Sequence, residues 1–276
     1  MTNQEEVLKN PLFAALQKTG HTVEGDINTW AQGIALHNSN LLNALNEVQP
    51  TTRDRILKDV WTEVAAYAPE KVKKAMGLDE RVDVDKINEF MAQMLADAKY
   101  WAIKGVGDTI DEAILNWVST FAVYDFSIYT YLEKHLGSKD CFRIYMGLWE
   151  TFALGALDAV KQAFGITEDT KIDMDLIGEI SKAYWESIAC PYKVIQHSSE
   201  VHEAEIEDCP YWQNMKTILG EEKARSMTLK CEAAVSVNYY DAILKALGVF
   251  DKYSFSMDKF QCCGDDNCRV RFELRR

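Results

Sequence analysis

Apolar positions in the first two thirds of the chain recur at helical spacing. Trp30, Ile34, His37 and Leu41 fall three and four residues apart, as do Trp117, Phe121, Tyr124 and Ile128, so each set lies along one helix face. His37 and Tyr124 hold equivalent inward places in these stripes. The segments around Trp61 and Trp149 are rich in Ala, Leu, Lys and Glu and end at Gly77 and Gly165, the residue suited to a left-handed helix stop. Asp85 and Asp175 are placed to cap the helices that follow. Thr109 with Glu112 predicts a capping box opening the helix that carries Trp117. From about residue 190 the period changes to two. YSFSMDKFQCC (253–263) and CRVRFELR (268–275) alternate apolar and polar residues around the turn formers Gly264 to Asn267, and predict a terminal hairpin. KVIQHSSEVHEAEIED reads as a second hairpin turning near Ser199, and residues 210 to 249 as helical up to Gly248. The pattern therefore predicts an α+β, mostly α fold, with a duplicated helical bundle followed by a small antiparallel sheet.

The duplication rests on an internal match. RILKDVWTEVAAYAPEKVKKAMGL (55–78) aligns without gaps on RIYMGLWETFALGALDAVKQAFGI (143–166), identical at nine of 24 positions, which is far above chance. VDVDKINE (82–89) falls on IDMDLIGE (172–179) after a two-residue slip, and INTWAQGIALHN (27–38) falls on ILNWVSTFAVYD (114–125). The expected organisation is a first helical copy over 1–110 and a second copy with the C-terminal α+β region over 111–276, packed as one compact unit. Trp61 and Trp149 are expected at equivalent buried places. Two copies make a bundle and not a solenoid.

Composition narrows the classes. With 47% hydrophobic and 26% charged residues the chain has the make-up of a folded globular protein. A formal charge of -13 repels a phosphate backbone, and the one basic run, RVRFELRR (269–276), is short and interrupted, so nucleic acid is set aside as a partner. No run of about 18 apolar residues appears, and MTNQEEVLKN has neither a basic nor an apolar leader region, which predicts a cytoplasmic protein with no membrane segment. The 7 Cys in a chain of this kind read as reduced thiols or metal ligands before they read as a disulfide framework.

Candidate chemistry gathers in CPYKVIQHSSEVHEAEIEDCPY (190–211), where Cys-Pro-Tyr frames two His, four Glu and one Asp. In a hairpin turning near Ser199, Cys190 lies across from Cys209 and His197 across from His202, since partners sum to 399. Ile195, His197, His202, Ala204 and Ile206 then share one face; Cys190, Tyr192, Val194, Glu205 and Cys209 share the other. The paired tripeptides mark the base of the ribbon, where Pro is tolerated at a strand end. Thiolates and imidazoles suit zinc or iron, and a nearby Glu suits water activation; buried free Cys beneath a surface of His and Glu is the plainer alternative. In QCCGDDNC, a four-residue loop predicts Cys263 facing Cys268, near enough to share a metal or to cross-link. In the helical region, His37 and Asn38 opposed by Tyr124 and Asp125 are candidate substrate-binding groups for a central pocket, against the alternative of a hydrogen-bonded core histidine. GVGDT (105–109) lacks the Lys and the strand of a phosphate loop and reads as a loop before a helix.

The C-terminal layout, a helical region, CPY, a strand ending in DCPYW, a helix, and a strand pair closing on CCGDDNCRVRFEL, resembles the L-2-amino-thiazoline-4-carboxylic acid hydrolase-like family over about residues 110–276. The resemblance implies hydrolytic opening of a cyclic C=N compound. It directs attention to Cys190, Cys209, Cys263 and Cys268 as metal ligands, with His202 and Glu205 as the catalytic pair. The expected function is hydrolysis of a C–N or C=N bond in a small heterocyclic or amide-like compound; the alternative is a non-catalytic protein binding a small molecule or a metallocofactor. Zinc or iron is the cofactor to be tested, a small molecule the expected partner, and a homo-oligomer is left open.

Overall fold

The computed structural model describes residues 28–78, 82–97, 105–187, 190–228 and 232–276. The fold is α+β and mostly α, with one four-stranded antiparallel sheet near the C-terminus. The chain divides into two compact units, Met1–Tyr145 with Thr217–Gly220, and Met146–Lys216 with Glu221–Arg276. The N-terminal leader reading, the first residue of the repeat and the start of the first helical copy fall within 1–27, outside the described residues, and the Trp30 side chain is likewise not described.

The first unit is built from α1 (Asn28–Ala44), α2 (Pro50–Tyr67), α3 (Glu70–Met76), α4 (Val84–Ala96), α5 (Ile110–Leu136) and the start of α6 (Ser138–Ala163). Pro50 opens α2, where its missing N–H costs nothing. Ala68 is extended because it precedes Pro69, and the chain restarts as α3 one residue later. In the matched segment Leu157 stands where Pro69 does, and α6 runs through unbroken. Both segments then stop alike: Gly77 and Gly165 have φ of 66° and 62°, and Leu78 and Ile166 each return an N–H to a carbonyl five residues back at 2.8 Å. Trp61 and Trp149 are both buried.

The caps after these stops are Asp83 and Asp173, not Asp85 and Asp175. Asp83 accepts from the Lys86 N–H and Asp173 from the Leu176 N–H, each at 3.3 Å. Each of the two segments offers two Asp two residues apart, and the earlier one reaches the third N–H of the new helix. The later one falls in the first helical turn, and in the second unit it is free for another task. Thr109 caps α5 by accepting from Glu112, whose carboxylate in turn accepts from the Asp108 N–H at 2.7 Å.

The second unit adds α7 (Met174–Ser187), β1 (Tyr192–His197), β2 (Val201–Ile206), α8 (Pro210–Leu219) as far as Lys216, α9 (Glu221–Thr228), α10 (Glu232–Ala246), β3 (Tyr253–Lys259) and β4 (Cys268–Leu274) to the rest of α6. The strand order is β1-β2-β4-β3, antiparallel throughout. His202, Ala204, Ile206, Val270, Phe272, Tyr253 and Phe255 face inward and are buried against α7 and α10. Each large side chain buried here contributes about 1.5–3 kcal/mol. The outer face carries an ion-pair lattice, with Arg271 on Glu203 and Arg269 on Glu205 at 3.3 Å. Among the described residues, no helix is long and apolar enough to cross a membrane.

The terminal hairpin forms over the predicted strands, but its turn is longer than the alternation suggested. Lys259 is the last residue of β3 paired to β4, a short 3-10 turn spans Gln261–Cys263, and Gly264 takes φ of 106°. Cys263 is thereby carried off the ladder onto the surface, and Cys268 pairs with Ile206 instead of facing it.

Candidate functional site

In the first unit the helical period brings His37, Asn38, Tyr124 and Asp125 together as expected. Tyr124 donates to Asn38 Oδ1 at 3.1 Å, and Asn38 donates through Nδ2 to Asn88 on α4 at 3.0 Å. Tyr145 donates to Asp125 Oδ2 at 2.7 Å, and His37 Nε2 lies 3.8 Å from Asp125 Oδ1. The Trp61 ring packs on Tyr124 at a tilt of 32°, with ring centroids 4.8 Å apart. His37, Asn38, Tyr124 and Asp125 are all at most 2% exposed. Burial lowers the His37 pKa to about 3, so the ring is neutral at pH 7. Burial, aided by the Asp125 charge, pushes the Tyr124 hydroxyl well above its ordinary value. The partners Asn88 and Tyr145 were not singled out in the sequence, because a lone polar residue in a helical segment carries no mark of facing inward.

In the second unit a different polar chain runs from surface to interior. Its geometry is set by a β-bulge. His197 pairs with His202, the sum of 399 expected, but the register slips between Val194 and Gln196, and Tyr192 pairs with Ile206. The extra residue, Ile195, shifts the lower half of β1 by one, so Tyr192 comes to the face of His202 and not the opposite face. Asp175 Oδ1 accepts from His197 Nε2 at 2.9 Å, the two Nδ1 atoms of His197 and His202 lie 2.9 Å apart, and His202 Nε2 is 2.7 Å from the Tyr192 hydroxyl. Tyr192 donates to Ser181 Oγ at 3.2 Å. The chain joins an Asp175 side chain 80% exposed to a fully buried Ser181, with His202 buried and Tyr192 half-buried between them. Gly178 makes room for this: a Cβ there would lie 2.7 Å from His202 Nδ1. Burial lowers the His202 pKa, the neighbouring His197 adds to this, and Glu179 opposes it.

Beside this chain α7, α10 and β4 form an apolar cleft lined by Ile177, Ile180, Tyr240, Ile243, Leu244 and Phe272, among others. It holds ≈ 220 Å³ counted to its open mouth, with room for about one water molecule at the floor. The Tyr240 hydroxyl is buried here and makes no hydrogen bond; Ser181 stands beside it without bonding geometry. Burial pushes that hydroxyl well above its ordinary pKa, Tyr184 adds to the shift, and Ser181 pulls the other way.

Of the remaining expected site residues, Glu205 lies on the outer sheet face, held by Arg269 at 3.3 Å and Lys193 at 4.0 Å, and so is on the face opposite His202. Cys190 and Cys209 meet at the ribbon base as expected, both buried with sulfurs 3.8 Å apart. Two thiolates on one tetrahedral zinc stand at about the same separation, but two packed thiols do as well. Cys268 accepts from the Gln261 N–H at 3.4 Å and Cys263 is exposed. Among the described residues no three His, Cys, Asp or Glu gather to hold a metal ion, so these four Cys do not form one ligand set for zinc or iron.

No family model matches the chain, and no curated protein matches it. Among solved structures, the crystal structure of the phenol-responsive sensory domain of the transcription activator PoxR with phenol is similar over 57% of this chain and 74% of that chain, with 11% identity and a TM-score of 0.36.

Proposed function

We propose that the second unit binds a small, mostly apolar molecule of one ring carrying a single hydrogen-bonding group. The observation that carries this reading is the buried Tyr240 hydroxyl, without a hydrogen bond, in a cleft otherwise walled by Ile, Leu and Phe. A buried hydroxyl left unbonded costs about 1–3 kcal/mol, and a ligand atom that bonds it recovers that cost on binding. The ring itself would lie against the apolar side chains that wall the cleft. The test is ligand-observed NMR with a panel of monocyclic aromatics and heterocycles bearing one hydroxyl, amino or carboxylate group. Tyr240→Phe is expected to weaken the best binder about tenfold, about 1.4 kcal/mol. Binding indifferent to that change, or absent across the panel, overturns the reading.

A second reading, hydrolysis of a C–N or C=N bond in such a ring, is favoured by the 2.7 Å contact of His202 with Tyr192, an acid–base pair next to the cleft. In it His202 serves as the base and Glu205, on the other sheet face, has no part. Turnover of 2-amino-thiazoline-4-carboxylate that is lost in His202→Ala and kept in Glu205→Gln supports it. The internal match of 55–78 with 143–166 we take as a duplication of the helical unit, and the cytoplasm as the compartment in which the 7 Cys would stay reduced.

A further inference from the structure

We infer that Cys190 and Cys209 form an oxidation site, at which a peroxide converts two neighbouring thiols into a disulfide that closes the base of the β1–β2 ribbon. Neither residue lines the cleft, so the pair is independent of the proposed ligand.

The backbone brings the two sulfurs together. Cys190 follows α7, and its N–H donates to the Trp185 carbonyl at 2.9 Å, which ties it to the last turn of that helix. Cys209 stands immediately before Pro210, the first residue of α8, and its carbonyl accepts from the Gln213 N–H at 3.0 Å. The Cys209 N–H donates to Gln261 Oε1 at 3.1 Å, and Gln261 is itself held by donating through Nε2 to the Asp266 carbonyl at 3.0 Å. Between the two cysteines run β1 and β2, whose ladder reaches Tyr192 opposite Ile206. Each cysteine is thus fixed by a helix end on one side and by the ribbon on the other. The Cys190 thiol donates to the Cys209 sulfur at 3.8 Å, and both residues are buried. An S–S bond is about 2.05 Å long, so the sulfurs must close about 1.8 Å, a distance that side-chain rotation at both residues covers.

The chemistry balances with a peroxide as oxidant. Cys209, at 8% exposure against 1% for Cys190, is the residue that a molecule as small as hydrogen peroxide meets first. Its thiolate attacks one peroxide oxygen, the O–O bond breaks, and the released hydroxide takes up the thiol proton as water, which leaves a sulfenic acid. The Cys190 sulfur then attacks the Cys209 sulfur. The S–S bond forms, the S–O bond breaks, and the departing hydroxide leaves as water with the Cys190 proton. Two thiols and one hydrogen peroxide become one disulfide and two waters, and the two electrons lost by the sulfurs are gained by the peroxide. A small dithiol reverses the change by exchange. A bond made and broken in this way suits a chain whose cysteines are otherwise kept reduced. Other described cysteines are differently placed: Cys141 donates to the Tyr129 carbonyl at 3.3 Å, Cys268 accepts from the Gln261 N–H at 3.4 Å, and Cys263 lies on the surface.

The test uses the whole chain, fully reduced, freed of reductant, kept with EDTA and treated with a small excess of hydrogen peroxide before alkylation. Cleavage after Lys182, Lys193 and Lys216 leaves Cys190 as the single cysteine of peptide 183–193 and Cys209 as the single cysteine of peptide 194–216. Mass spectrometry without reductant is expected to find these two peptides joined, two hydrogens lighter than their sum, with no covalent dimer on a non-reducing gel. The same product is expected in Cys263→Ser, which removes the exposed thiol that competes for peroxide. Closing the loop from 190 to 209 is expected to raise the melting temperature by about 5–10 °C, a rise that dithiothreitol removes and that Cys190→Ser lacks. Circular dichroism establishes that each protein is folded. The proposal is overturned by peptides that stay separate in the folded wild-type chain, by Cys209 accumulating as sulfinic acid, by joining that requires urea, or by a joined protein that melts no higher than the reduced one. The first of these readings needs no variant, so a Cys190→Ser chain that fails to fold leaves the proposal open to refutation.

Discussion

The two units each hold a buried histidine beside a tyrosine, yet the hydrogen-bonded paths that lead away from the two differ. In the first, His37, Asn38, Tyr124 and Asp125 are closed in on all sides, and His37 with a pKa of about 3 is held neutral. In the second, His202 is equally hidden but its far nitrogen touches His197, which touches an exposed Asp175. Similar residue types make a polar core that ends at the half-buried Asn88 in the first unit, and a chain that reaches the exposed Asp175 in the second. The lesson is that burial of a histidine says little about its role until the hydrogen-bonded path leading away from it is followed to its end.

The largest expected effect falls in the closed cluster. Asp125→Ala removes the acceptor of the buried Tyr145 hydroxyl and is expected to destabilise the protein by about 3 kcal/mol, read by urea unfolding. Next comes acid. The folded pKa of His37 lies near 3, below the value of about 6.5 in the unfolded chain, so the unfolded state binds more protons as pH falls. Stability is fully present above pH 6.5 and drains below it, by about 2 kcal/mol at pH 5 from this group alone. His37→Gln is expected to flatten that part of the pH profile; an unchanged profile would break the comparison, since His37 would then not be held neutral.

Smaller effects sharpen the comparison in the second unit. Gly178→Ala sets a methyl group 2.7 Å from His202 Nδ1 and is expected to cost about 1–2 kcal/mol while displacing the ring from His197, seen as a changed His202 NMR signal. Smallest of all, Asp175→Asn is expected to leave the melting temperature where it was, because an exposed pair of this kind contributes little. A melting shift there as large as that of Gly178→Ala would mean that the exposed Asp175 is a structural brace.

The helical cluster was readable in the sequence because its four residues lie on two stripes whose period is that of the helix. The strand chain was half readable. His197 and His202 pair as counted from the turn, but nothing in Val194–Ile195–Gln196 announces a bulge, so Tyr192 was assigned to the wrong face. The cap role of Asp173 and the consequent freedom of Asp175 were obscured by two aspartates two residues apart, a choice settled only by where the helix begins. Cys263 was misplaced for a related reason: alternation in FQCC continues past the last rung of the ladder, and a 3-10 turn interrupts it.

The bulge at Ile195 carries a consequence for ancestry. With it, the tyrosine that reaches His202 sits five positions before His197; in a strand without it, the inward positions would fall four or six before. A descendant that loses one residue between Tyr192 and His197 therefore keeps its chemistry only if the tyrosine moves along the chain as well. Kinship to this protein is then best sought by parity, pairing each one-residue gap in that strand with a matching relocation of the aromatic hydroxyl, and ordinary alignment, which scores the gap and the relocation as separate losses, will pass such relatives by.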